Sequence, residues 1–70
     1  MSRSLLNLLL AKNLRQLRQR HGLSQEELAH KAGLHRTYVG GVERGERNPS
    51  FLSITRLLRA LSVGWVDLGR

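Results

Sequence analysis

The twenty residues from Gln25 to Arg44, QEELAHKAGLHRTYVGGVER, restrict the fold more than any other part of the chain. Leu28, Ala29 and Ala32 lie on one side of a short helix, and Val39 and Val42 recur three apart on a second. Between them Gly33 can take the positive φ that a sharp corner between two helices needs. Ala29 is small where a larger side chain would hold the second helix away from the first.

The flanking segments read as further helices. Leu6, Leu10, Leu14 and Leu17 follow four-four-three spacing, which predicts an amphipathic helix over about residues 4–21, closed by Gly22. Ser24 is a helix cap with Glu27 as its capping-box partner, and Leu23 and Leu28 are placed as a hydrophobic staple. Helices are therefore expected at about 25–32 and 36–44. Gly45 to Pro49 is a polar loop, after which Ser50 caps a fourth helix. Its inward stripe is expected to be Phe51, Ile54, Leu57, Leu58 and Leu61, with Arg56 and Arg59 on the solvated side. A short last turn holds Trp65, Val66 and Leu68. No strand pattern and no repeat occurs. The expected fold is all-α: a compact four-to-five-helix bundle, one domain over residues 1–70.

A chain of 70 residues buries only roughly 60% of its unfolded surface, so its stability margin is thin. It has no cysteine, hence no disulfide or thiolate site to supplement the core. That suits a reducing cytoplasmic setting. Twelve Lys/Arg against five Asp/Glu leave a net charge of +7, and eleven of the twelve cations are spread from Arg3 to Arg59. A folded basic surface of this kind attracts a polyanion. The leucine-rich start, SLLNLLLA, is short, interrupted by Asn7, and continues into a helical pattern, so neither a signal sequence nor a membrane span is expected. His30 and His35 are five apart and, with His21, lack the spacing of a helical metal pair. No nucleophile–base set or paired carboxylates can be placed in a cleft. Catalysis, a metal, a cofactor and a small-molecule substrate are all unexpected.

The segment 25–44 resembles the helix-turn-helix of the lambda-repressor/Cro-type (XRE) family of DNA-binding proteins. The string RTYVGGVERGERNPS is similar to the same segment in controller proteins of restriction–modification systems. The resemblance implies a transcriptional regulator that binds double-stranded DNA, usually as a homodimer on a pseudo-palindromic operator. The second helix would lie in the major groove with its first residues, Arg36 and Thr37, toward base edges. Arginine can donate two parallel hydrogen bonds to guanine and threonine can meet a thymine methyl; a phosphate contact is the other role open to Arg36. One or both of Gly40 and Gly41, grouped with Arg36 and Thr37 as base-reading positions, are expected on the DNA face, where bare backbone would allow close approach; tolerated drift is the other reading of the pair. Many relatives carry a long polar side chain where Gly41 stands.

By the same resemblance, Gln25 and the adjacent backbone N–H groups would clamp a phosphate. Tyr38 would reach a phosphate or sit half-buried, and Arg44, Arg47 and Asn48 would form a second anchor. Arg18 and Glu43 would pair, tying the first helix to the recognition helix. His35 stands where relatives often have Ser, Thr or Asp, a position at which histidine is a weaker cap. Trp65, Val66 and Leu68, joined by Leu5 and Leu9, are the expected dimer surface. The alternative is an antitoxin-type module that uses its apolar N-terminal leucines to bind a toxin as well as DNA.

Overall fold

The structure, a computed structural model, describes residues 5–68 apart from the side chain of Leu6. Ser4 and the Leu6 side chain, both assigned to the first helix above, lie outside the described residues. Five helices follow one another: α1 Leu5–Arg20, α2 Gln25–Ala32, α3 Arg36–Glu43, α4 Phe51–Leu61 and α5 Trp65–Leu68. No described residue is in a strand. Among the described residues, no helix is long and apolar enough to cross a membrane.

Local signals set the helix ends. At the start of α2 the Ser24 hydroxyl accepts from the Glu27 N–H at 3.0 Å, and the Glu27 carboxylate accepts from the Ser24 N–H at 2.8 Å. Gly33 ends α2 at φ 70°, ψ 32°. There its N–H donates to the His30 carbonyl while the Leu34 N–H reaches back to that of Ala29. That left-handed residue turns the chain from α2 into α3. Ser50 caps α4 in the same manner as Ser24, accepting from the Ser53 N–H at 3.0 Å.

The capping box makes the start of α2 sensitive to acid. The Ser24 backbone N–H, followed by its hydroxyl, holds the Glu27 carboxyl below its ordinary value of 4.5. The group binds its proton less readily folded than unfolded, so its contribution is fully present above about pH 4.5 and fades as the pH falls below it. Glu27→Gln should therefore lower the melting temperature at pH 7, and the gap from the native chain should close toward pH 3. A gap that stays constant across that range would exclude the carboxylate as its source.

Leu14 and Leu17 of α1, Leu28, Ala29 and Ala32 of α2, and Val39 and Val42 of α3 meet Leu57, Leu58 and Leu61 of α4 in one apolar core. Two expectations are corrected here. Phe51 is not part of the inward stripe: it is 74% exposed. It opens α4 beyond the edge of the core, and its ring stacks on Trp65 with centroids 5.3 Å apart. Leu68, expected on a dimer surface, is a core residue at 5% exposure. Leu68 packs within the core cluster, and the buried side-chain amide of Asn13, on the apolar face of α1, donates to its carbonyl at 2.7 Å and so ties α5 to α1.

Candidate nucleic-acid interface

The recognition helix α3 begins with a histidine cap. His35 has extended backbone (φ −78°, ψ 142°), and its Nδ1 accepts from the Thr37 N–H at 3.1 Å. That bond requires the ring to be unprotonated at Nδ1. Arg36 and Thr37 follow as the first helical residues, both exposed. Val39 and Val42 are 0% and 1% exposed, so one side of α3 is fixed to the core while its first turn faces outward. Arg36 lies 3.7 Å from Glu26, with both side chains in solvent. A pair so exposed is worth at most about 1 kcal/mol, too little to keep Arg36 from an anionic or base-edge partner.

The N-terminal ends of α2 and α3 enclose an open groove of about 540 Å³, with Arg18, Gln25, Arg36, Thr37, Gly40 and Arg44 on its walls. Beneath it Glu43 is 3% exposed. Its carboxylate accepts from Arg18 Nε at 2.6 Å, Arg18 Nη2 at 3.0 Å and Gln25 Nε2 at 3.0 Å. Arg18 Nη1 also donates to the Leu23 carbonyl at 2.7 Å. One carboxylate thereby joins α1, α2 and α3 at the point where the last two diverge. Because Arg18 and Glu43 neutralise each other, the other cations on the groove walls are Arg36 and Arg44, with the carboxylate of Glu26 beside them. Gln25 is half-buried with one amide N–H donating to Glu43, which leaves its second amide N–H and the first backbone N–H groups of α2 as donors for an anion at the groove.

Tyr38 is half-buried. Its hydroxyl accepts from the Ser50 N–H at 3.3 Å, and the Arg47 guanidinium lies 5.8 Å from its ring centroid. The hydroxyl still has its own proton to donate. Arg44, Arg47 and Asn48 are exposed, and Arg44 Nε donates to Glu46 at 3.0 Å.

Gly40 lines the groove beside Arg36, Thr37 and Arg44, but it and Gly41 are both buried beneath arginine side chains, which corrects the expected approach of bare backbone to a duplex. A Cβ on Gly40 would meet Arg44 Nη1 at 3.0 Å, and one on Gly41 would meet Arg47 Cγ and Cδ at 3.3 Å. Each glycine is roofed by an arginine from the next turn. Arg44 covers Gly40 from the C-cap of α3 at a spacing of four residues, whereas Arg47 reaches Gly41 from the loop beyond the helix, which periodicity alone does not show.

Trp65 and Val66 are 47% and 69% exposed. Phe51, stacked on Trp65, extends this apolar surface, and Leu52, next to it in α4, is 59% exposed. The apolar pair Phe51-Leu52 directly after a helix cap was the available sequence signal for this extension. Leu5, Leu8 and Leu9 of α1 are exposed as well. Among the described residues, no group of three or more His, Cys, Asp or Glu is placed to hold a metal ion.

A helix-turn-helix family model matches residues 14–68. The control protein C.SmaI of Serratia marcescens is 50% identical over 54 residues, covering 77% of this chain and 64% of that protein. The crystal structure of the restriction–modification controller C.AhdI from Aeromonas hydrophila superposes with a TM-score of 0.86 at 48% identity, over 89% of this chain and 94% of that one. The controller C.Esp1396I, solved as a tetramer in complex with its natural 35-base-pair operator, gives a TM-score of 0.87 at 34% identity, over 93% and 86% of the two chains. With α2, the Gly33 corner and α3 in the arrangement described, this chain belongs to the helix-turn-helix family of the lambda-repressor/Cro (XRE) type and is similar to controller proteins of restriction–modification systems.

Proposed function

We propose that the chain, read as a single domain over residues 1–70, is a sequence-specific DNA-binding regulator of transcription. It acts without catalytic chemistry, in the cytoplasm, as a homodimer on a partly palindromic operator. The observation that carries this reading is the first turn of α3. Arg36 and Thr37 stand outward beside a groove edged by two further arginines, while the valines behind them are buried. Similarity to a controller solved in complex with its operator supports double-stranded DNA as the partner. Gln25, Tyr38, Arg44, Arg47 and Asn48 serve as the surrounding phosphate contacts in this reading. The patch of Trp65, Val66, Phe51 and Leu52 brings a second copy into register, so that two recognition helices reach half-sites about 34 Å or a multiple apart.

The test is binding to the DNA directly upstream of the gene, and to an unrelated duplex, at several salt concentrations. Affinity for both should fall steeply with salt, reflecting phosphate contacts, while a preference for the upstream site survives. Arg36→Ala should reduce that preference by about 1–3 kcal/mol at one base-pair position. Equal loss on both duplexes would show that Arg36 contacts phosphate only.

A further inference from the structure

Arg36, Gly40 and Arg44 are spaced four apart, so they form one row along the groove side of α3. The centre of that row has no side chain of its own. An ideal Cβ on Gly40 would lie 3.0 Å from Arg44 Nη1 and 3.3 Å from Gln25 Oε1. The Arg44 guanidinium therefore occupies the volume that a residue at position 40 would otherwise fill. Helical side chains lean toward the N-terminus, which is how a residue capping the end of α3 reaches back one turn.

We infer that Arg44 is a specificity-determining residue of the DNA-reading site, contacting a guanine edge through the slot that Gly40 leaves open. The inference rests on the DNA-binding reading above and changes the role of Arg44 within it. Three observations carry it. Glu46 accepts from Arg44 Nε at 3.0 Å, which leaves the Nη1/Nη2 end of the fork to donate. Two parallel donors in that geometry match the O6 and N7 acceptors of guanine in the major groove. The groove holding the guanidinium is the one that Arg36 and Thr37 also line. Arg47 behaves differently. It lies along Gly41 by its methylenes, with its guanidinium over Tyr38, forming a wall beside the reading row and not a tip within it. Glycine is a poor helix former, and at position 40 its missing side chain is what gives Arg44 its place.

The experiment measures the affinity of the full chain for the upstream site, for a set of single base-pair variants of it, and for an unrelated duplex, at one salt concentration. Arg44→Ala should lower affinity for the upstream site about ten- to a hundred-fold and abolish the preference at one G·C pair. Arg44→Lys should keep the positive charge without restoring that preference, because an ammonium is a point charge without the two-donor fork. Gly40→Ala should displace the guanidinium and weaken the same preference, with helix content unchanged by circular dichroism. If Arg44→Ala weakens every duplex equally, if lysine restores the preference, or if Gly40→Ala leaves it intact, Arg44 is a phosphate anchor and the inference falls. If the native chain shows no preference for any duplex, the DNA-reading function itself falls, and with it the role of Arg44.

Discussion

Glu43→Ala is expected to remove a large part of the chain's stability. The carboxylate accepts three hydrogen bonds, two from Arg18 and one from Gln25. Its side chain is 1% exposed and that of Arg18 is 11% exposed. Removing the acid strands a guanidinium away from water, a change worth about 3–5 kcal/mol. A 70-residue chain has a total stability of only about 3–10 kcal/mol. Replacing both partners by apolar residues of similar length, Arg18→Met with Glu43→Leu, should restore most of the loss, since no buried charge then remains. Chemical denaturation of the two single variants and the double variant measures this directly. A double variant as unstable as the sum of the singles would mean that the two charges are independent. DNA binding by a folded double variant would also reveal whether the pair matters beyond holding α1, α2 and α3 together.

Trp65→Asp is expected to yield a folded monomer whose affinity for the full operator falls about a hundred- to ten-thousand-fold, with half-site affinity nearly unchanged. Two linked recognition helices gain that much from effective concentration, with no further contact to the bases. Trp65 stacks on Phe51 at the surface, outside the core cluster, so its loss should spare the monomer. A carboxylate in the middle of an apolar contact between two copies would be buried without a partner. Sedimentation equilibrium checks the oligomeric state and circular dichroism the fold. A variant that remains dimeric would move the interface away from this patch, most simply to the exposed leucines at the start of α1.

Much of this molecule was legible in the order of its residues, wherever the determining contacts are local. The capping box of Ser24 and Glu27, the positive-φ corner at Gly33, the Ser50 cap and the apolar spacing of α1 to α4 all act within a turn or two of chain. Helix bounds therefore agree with expectation to within about a residue, and the outward turn at Arg36 and Thr37 follows from the burial of Val39 and Val42. Tertiary structure decided what depends on distant partners. Phe51 has the right spacing for the core, but the end of α4 projects past it and Trp65 offers a ring to stack on. Leu68 joins the core, its carbonyl held by Asn13, 55 residues away in the chain. Gly41 is covered because the loop after α3 folds Arg47 back over it, whereas Arg44 lies over Gly40 at the local spacing of four residues. Periodicity assigns a residue to a face of its own helix; which side chain finally occupies that face is settled by the elements packed against it.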